Sequence, residues 1–220
     1  MIEGTRPLLL GSASPRRREI LTALGIPLVI RAIDLDESVH EAEAPADYLA
    51  RVALAKLDAV ISTPEAAEAG AVLVADTSVL LDGAILGKPR DEADARAMIR
   101  ALSGRDHQVW TRFVIAAPPG DLVAGAAERA VGSHAAHAET VQTRVWFRDL
   151  SEDEIVSYAA TGEGRDKAGA YAIQGIGAFA VARIEGSYSN VVGLPACEVV
   201  AALRGAGLLP RFPFAPAARS

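Results

Sequence analysis

The sequence has few of the residues on which several protein classes depend. It contains one cysteine among 220 residues, so an internal disulfide cannot form, which fits a reducing compartment. Aromatic residues make up 5% of the chain and the formal net charge is −6. Both values disfavour nucleic-acid binding, which depends on lysine, arginine and aromatic side chains. No apolar run reaches 18 residues and the amino-terminal one is shorter than a signal peptide needs, so we expect a cytoplasmic protein.

Apolar residues, in contrast, are plentiful. They make up half of the chain, enough for one sizeable domain, or two small lobes around a shared sheet, over residues 1–220. Strand and helix patterns mix without strict alternation, and Asp82-Gly83 is a typical hairpin dipeptide. These features predict an α/β fold with a mixed β-sheet flanked by helices.

The local patterns predict the bounds of most elements. Helices are predicted at 15–24, 45–61, 91–102, 151–162 and 194–203. Strands are predicted at 8–11, 28–33, 71–75 with an extension at 79–81, 109–116, 141–147 and 178–184. The alanine- and glycine-rich segment 118–138 shows no period and is interpreted as a surface insertion, and 210–220 as a frayed tail.

The turn after the first strand is a candidate anion site. Ser12-Ala13-Ser14-Pro15 leads directly into a helix, with Ser14 as N-cap and Pro15 at its first position. A helix amino terminus favours anions, so Arg16, Arg17 and Arg18 there are unfavourable without an anionic partner. Guanidinium groups bind phosphate bidentately. The alternative is that the three arginines are simply solvated.

Lys56 and Asp76 are charged residues in apolar surroundings. Lys56 falls in the centre of an apolar helical stripe, where it must snorkel, pair with a carboxylate or line a cleft. Asp76 follows five apolar residues and could bind a metal ion or act as a general base. Equally, it could cap the next turn through Thr77 or Ser78.

Other motifs carry less information on their own. Gly87-Lys88-Pro89 could bring Lys88 to a ligand, and Gln174 offers both a donor and an acceptor to a pyrimidine edge. Cys197 lies on an apolar helix face and is expected in the core. His40 and His107 are isolated, and His137 is expected in a solvated loop of the insertion. No Walker motif or paired C-x-x-C is present.

Taken in order, the segments resemble the Maf family of nucleotide pyrophosphatases. The resemblance covers about residues 8–204. Its pieces are LLLGSASPRRREIL at 8–21, the 51–56 stretch, VADTSVLLDG at 74–83, GKPRD at 87–91, LSGRDHQVWT at 102–111, DKAGAYAIQGIG at 166–177 and EGSYSNVVGLP at 185–195.

The resemblance implies an elongated fold with two lobes and a central cleft, similar to inosine triphosphate pyrophosphatases. It implies metal-dependent attack of water on a triphosphate, with Mg²⁺ or Mn²⁺, and a possible homodimer. Asp76 takes the family's proton-acceptor position, and Glu37 lies near its metal by a looser match. The phosphate-binding positions are Ser12, Arg16, Arg17, Lys56 and Lys88.

Three positions of the resemblance bear on substrate choice. The branch similar to dTTP/UTP pyrophosphatase carries arginine, threonine and glutamine where this chain has Arg16, Thr77 and Gln174. The branch similar to 7-methyl-GTP pyrophosphatase carries tryptophan, glutamine and glutamate there. The resemblance therefore implies hydrolysis of dTTP and UTP. The alternatives are the sister branch and a non-catalytic nucleotide-binding regulator of cell division, which would not need Asp76.

Overall fold

The computed structural model describes residues 1–118 and 135–213. Its helices and strands follow one another along the chain as β1 (Leu8–Leu10), α1 (Pro15–Ala23), β2 (Leu28–Ile30), α2 (Pro45–Ile61), α3 (Pro64–Glu68), β3 (Ala71–Leu81), β4 (Ala84–Leu86), α4 (Glu92–Leu102), β5 (Asp106–Ala116), β6 (Ala135–Phe147), α5 (Glu152–Ala160), β7 (Val181–Glu185), α6 (Tyr188–Val192) and α7 (Ala196–Gly205). Two short 3₁₀ helices, Ala168–Ala170 and Gly175–Ala180, precede β7.

The strands form a mixed sheet, as the sequence predicts. Its order is β2-β1-β3-β5-β6-β7, with β4 paired to β3. β1 runs parallel to both β2 and β3, whereas the β3–β4 and β6–β7 pairs are antiparallel. The chain divides into two compact units: Met1–Asp76, Arg112–Thr140 and Ala196–Ser220 form the first, and Thr77–Thr111 and Val141–Pro195 the second.

In the first unit, α2 packs its apolar face over the parallel strands. Leu57 and Val60 of α2 share a buried cluster with Leu9 of β1 and Val74 of β3. Burying a leucine of this kind stabilises the fold by about 1.5–3 kcal/mol. A Cβ at Gly11 would lie 2.5 Å from a Val60 side-chain carbon. The small residue therefore lets α2 pass close to the end of β1, where the candidate site begins.

In the second unit, a tight hairpin and a buried asparagine organise the strands. Asp82 and Gly83 have φ of 52° and 81°, the left-handed conformations of a type I′ turn. Asn190 is fully buried, and its amide nitrogen donates to Val109 O at 3.0 Å and Thr143 Oγ1 at 2.9 Å. This amide therefore ties α6 to β5 and β6.

Several predicted element bounds are wrong. β3 continues through Asp76 to Leu81 instead of breaking there, because the polar residues at its centre have partners inside the fold. Residues 175–180 form a 3₁₀ helix and β7 begins at Val181. β6 begins at Ala135, so the last residues of the predicted 118–138 insertion are strand. Residues 119–134 of that insertion, and 214–220 of the predicted tail, lie outside the described residues.

Two predictions about single side chains also need correction. Cys197 is exposed and does not belong to the core, because the first turn of α7 directs that position outward. His137 lies in β6, pairs with Glu139 and stacks on Phe113, and so is not part of a solvated loop. None of the helices in the described ranges is both long and apolar enough to cross a membrane.

His107, which the sequence leaves isolated, belongs to a buried aromatic cluster of the second unit. Its Nε2 lies 2.8 Å from the Tyr171 hydroxyl, and both rings make edge-to-face contacts with Phe147. Burial lowers the pKa of His107 from its ordinary value of 6.5 to about 4. The imidazole is therefore neutral near pH 7.

We expect this histidine to weaken the fold in acid. The unfolded chain takes up a proton below about pH 6.5, whereas the folded chain does so only near pH 4, so stability falls across that window by up to about 3 kcal/mol. His107→Gln should flatten this part of the curve of unfolding free energy against pH, measured by urea denaturation. The exposed His40→Gln serves as control. If unfolding free energy fell equally with pH in His107→Gln and in the unmodified protein, His107 would not be the cause of the acid sensitivity.

Candidate active site

The turn after β1 is closed by hydrogen bonds around Ser12. Ser14 caps α1 by accepting from Arg17 N, and Ser14 N donates to Ser12 Oγ at 3.2 Å. Arg17 is buried, and its Nη1 donates to Ser12 Oγ at 3.0 Å and to Ala75 O at 2.8 Å. Burial lowers the pKa of Arg17, while Asp76 and Glu37 act in the opposite direction. The guanidinium thus ties the turn to β3 beside Asp76.

Lys56 joins two carboxylates at the centre of the site. Its Nζ lies 2.6 Å from Asp76 Oδ1 and 2.6 Å from Glu37 Oε1. The side chains of Lys56 and Asp76 are 8% and 9% exposed, and that of Glu37 is 35% exposed. The sequence leaves open whether Lys56 snorkels, pairs with a carboxylate or lines a cleft. The structure shows that it pairs with carboxylates. The attraction of Lys56 also offsets part of the desolvation cost of a carboxylate inside β3.

The loop that carries Glu37 is anchored to α2. Tyr48 Oη donates to Glu37 O at 3.0 Å. Arg51 donates to Ser38 O at 2.9 Å and makes a two-pronged pair with Glu43 at 2.6 and 2.7 Å. Hydrogen bonding to Arg51 lowers the pKa of Glu43 to about 2. The position of Glu37 is therefore determined by three residues of α2, namely Tyr48, Arg51 and Lys56.

The anchoring roles of Tyr48 and Arg51 are not predicted by the sequence. Both residues precede Lys56 on α2 and follow an acidic loop, which is the one sequence signal that could have drawn attention to them. Their contacts are to backbone carbonyls and to the Glu43 carboxylate of an irregular loop, and such contacts leave no periodic pattern in the sequence.

The first unit thus brings together Ser12, Arg17, Glu37, Lys56 and Asp76. Arg16 lies beside them in the first turn of α1 and is half-buried. Thr77, Lys88 and Gln174 belong to the second unit.

Within the second unit, Lys88 and Gln174 are both exposed. Lys88 follows β4, and Gln174 directly precedes the second 3₁₀ helix. Their predicted contacts with a nucleotide remain predictions.

The Thr77 hydroxyl makes hydrogen bonds inside the second unit. Thr77 Oγ1 lies 2.9 Å from Thr111 Oγ1 and 3.3 Å from Gly193 O, and Thr111 Oγ1 lies 3.3 Å from Asn190 O. Gly193 O and Asn190 O can only accept hydrogen bonds. The hydroxyl protons of Thr77 and Thr111 are therefore two donors for three contacts. Thr77 Oγ1 can therefore accept a hydrogen bond from a ligand while its proton is donated inside the protein.

Comparison with known proteins identifies the family. The family described as Maf-like protein matches residues 7–206, which include the described site. The chain belongs to the Maf-like protein family. It is 46% identical over 205 residues to a dTTP/UTP pyrophosphatase of Hahella chejuensis, covering 93% of this chain and 94% of that protein. Proteins of the same name from Myxococcus xanthus and Geotalea uraniireducens are 49% and 44% identical, over 91% and 95% of this chain and 93% and 100% of theirs.

One solved structure also resembles this Maf-like chain. A nucleoside-triphosphatase, dITP/XTP pyrophosphatase, of Mycobacterium abscessus has a TM-score of 0.37 and 15% identity, over 92% of this chain and 94% of that one.

The carboxylates of the Maf-like site fit a hard divalent cation. Asp76 and Glu37 both place an oxygen against the ammonium of Lys56, so the pair already surrounds a positive charge. Among the described residues, no group of three or more His, Cys, Asp or Glu side chains could hold a metal ion. Two carboxylates suffice for Mg²⁺, which is commonly bound by one or two of them together with water and substrate phosphates.

Proposed function

We propose that this protein hydrolyses dTTP and UTP to the nucleoside monophosphate and pyrophosphate. The observation that carries the proposal is the buried contact of Lys56 with Asp76 and Glu37, beside the arginine-rich amino terminus of α1. The relatives at 44–49% identity bear the name of this activity. Carboxylates next to an anion-binding turn are the groups that water attack on a phosphoric anhydride requires.

We also propose that Asp76 and Glu37 hold the divalent cation, Mg²⁺ or Mn²⁺, when substrate is present. The cation would neutralise phosphate charge and favour the ionised form of a bound water. Among the described residues these two carboxylates would hold the cation, and phosphate oxygens of the substrate together with water would supply its other ligands. Metal binding and substrate binding should therefore reinforce each other.

Each charged residue then has a defined task. Asp76 orients the water and accepts its proton as the oxygen attacks the α-phosphorus. Lys56 keeps the carboxylate of Asp76 in place and contributes positive charge near the phosphates. Arg16 and Arg17, at the start of α1, bind the triphosphate and neutralise the leaving pyrophosphate.

Four further residues complete the proposed contacts. Ser12 supports the phosphate-binding turn, and Lys88 binds the departing pyrophosphate. Thr77 and Gln174 read the base. A thymine or uracil ring presents an N–H flanked by two carbonyls, which matches an acceptor hydroxyl and an amide. Cytosine has no such ring N–H. The proposed substrate pool is cytoplasmic.

A panel of nucleoside triphosphates tests the proposal. With Mg²⁺ or Mn²⁺, we expect pyrophosphate release from dTTP and UTP, at least 100-fold slower release from CTP and purine nucleotides, and none with EDTA. A preference for 7-methyl-GTP would keep the mechanism and overturn the base assignment. A folded protein that binds nucleotides but cleaves none would make the chain a regulator.

A further inference from the structure

Gln174 lies on a backbone segment that one carboxylate holds from the carboxyl-terminal side. Glu163 Oε1 accepts from Ile176 N at 2.8 Å, and Glu163 Oε2 accepts from Gly177 N at 2.8 Å. Gly175 has φ of 71°, and a Cβ there would lie 2.2 Å from Glu163 Oε1. The close approach of this carboxylate therefore requires glycine directly after Gln174.

A buried tyrosine holds the same segment from the amino-terminal side. Tyr158, on α5, is 4% exposed. Its hydroxyl accepts from Ala172 N at 3.1 Å and donates to Glu163 Oε2 at 2.9 Å. Burial raises the pKa of Tyr158, so the hydroxyl keeps its proton and stays a donor. The tyrosine and the glutamate thus form one unit, which we call the Tyr158–Glu163 clamp.

The clamp fixes the backbone two residues before Gln174 and two and three residues after it. The side chain of Gln174 is exposed, so its direction depends on where its backbone is held. A recognition group gives full selectivity only when its support keeps it within about 0.5 Å of the productive position. No other contact described for the 172–177 segment involves a charged acceptor.

Charge is what makes the carboxylate suited to this task. Both oxygens of an ionised glutamate accept, so each can hold one backbone N–H. Burial acts against ionisation of Glu163, but the N–H groups of Gly177 and Ile176, the Tyr158 hydroxyl and the charge of Lys167 together outweigh it, and its pKa is lowered. A glutamine in its place would offer one acceptor and one donor, and the donor would face a backbone N–H.

We propose that the Tyr158–Glu163 clamp is a positioning device for base selection, acting through Gln174. The inference rests on the proposed function, in which Gln174 contacts the pyrimidine. Tyr158 and Glu163 would thus contribute to base selectivity without contacting the substrate. Neither residue belongs to the proposed phosphate-binding or catalytic residues.

Kinetics of Glu163→Gln and Tyr158→Phe with UTP and CTP test this inference. We expect Glu163→Gln to raise KM for UTP about tenfold and to lower the UTP-to-CTP ratio of kcat/KM by a similar factor. The kcat for UTP should change less than about twofold, because Asp76 and Lys56 are untouched. Tyr158→Phe should act in the same direction with a smaller effect. The exposed Glu68→Gln and Tyr188→Phe are matched controls.

A double-mutant cycle separates positioning from a general structural role. In a Gln174→Ala background the residue to be positioned is gone, so Glu163→Gln should change the UTP-to-CTP ratio by less than about twofold. An equal loss of selectivity in both backgrounds would overturn the inference. So would an unchanged ratio in a folded single variant. If Glu163→Gln does not fold, Tyr158→Phe decides by the same criterion.

Failure of the proposed function gives a different result. An unmodified protein that cleaves neither UTP nor dTTP would refute the activity, and binding would then be measured with α,β-methylene-UTP and its cytidine counterpart. A preference for the uridine analogue that Glu163→Gln reduces about tenfold would support the clamp without the activity. Absence of any preference in the unmodified protein would overturn it.

Discussion

Asp76→Asn is expected to lower kcat for UTP at least about 1,000-fold while the protein stays folded. Asparagine has nearly the same shape and can still accept from Lys56 Nζ, which lies 2.6 Å from the carboxylate oxygen. It cannot accept a proton from water, and it removes half of the negative charge that would hold the cation. Steady-state kinetics with Mg²⁺ and thermal unfolding measured on the same sample give the two readouts.

The stability of this variant follows from the charges around Lys56. The ammonium faces two carboxylates, Asp76 and Glu37. Neutralising Asp76 leaves a one-to-one pair with Glu37, so no buried charge loses its only partner. Asp58→Asn, on the exposed side of α2, is the matched control and should keep full activity. Turnover within tenfold of normal in a folded Asp76→Asn protein would remove Asp76 from the mechanism.

Lys56→Met is expected to destabilise the protein and to make its stability depend on metal. Methionine fills the apolar stripe of α2 but leaves Asp76 and Glu37 without their shared cation. Removing one partner of a buried pair costs about 3–5 kcal/mol. We expect about 3 kcal/mol, because Glu37 is 35% exposed and water screens part of the repulsion.

Divalent metal should then restore part of the lost stability. A cation that binds only the folded protein raises the free energy of unfolding by RT ln(1 + [L]/Kd). Adding Mg²⁺ should raise the melting temperature of Lys56→Met by several degrees more than that of the unmodified protein, measured against EDTA. Exposed Lys88→Met, the stability control, should lie within about 0.5 kcal/mol of the unmodified protein.

A second carboxylate change shows whether the metal effect comes from this site. In Lys56→Met with Glu37→Gln, one carboxylate remains and the extra stabilisation by Mg²⁺ should vanish. Persistence of that stabilisation in the double variant would mean that the cation binds elsewhere, and Glu37 would lose its proposed role.

The sequence predicts the parts of the fold that local chemistry determines. Ser14 and Ser151 begin α1 and α5 because their side chains cap free N–H groups, and the α5 capping box with Glu154 is present. Asp82-Gly83 forms its hairpin because both residues accept positive φ. Lys56 could be singled out because a charge in an apolar stripe needs a partner.

The parts that the sequence does not predict depend on contacts between distant residues. The sequence predicts a strand over 71–75 that ends at Asp76, with an extension at 79–81. The strand continues because Lys56, 20 positions earlier, neutralises that charge. The same reason applies to Tyr158 and Glu163, whose partners are backbone amides of an irregular segment. No spacing rule links such amides to the side chains that hold them.

The most direct test of the proposed mechanism follows the oxygen of the attacking water. UTP is hydrolysed with Mg²⁺ in ¹⁸O-labelled water, and the products are separated and weighed by mass spectrometry. Attack at the α-phosphorus predicts one ¹⁸O in UMP and none in pyrophosphate. Label in pyrophosphate instead of UMP would show attack at the β-phosphorus. Release of labelled orthophosphate would show stepwise removal of single phosphates. Either result would contradict the proposed reaction.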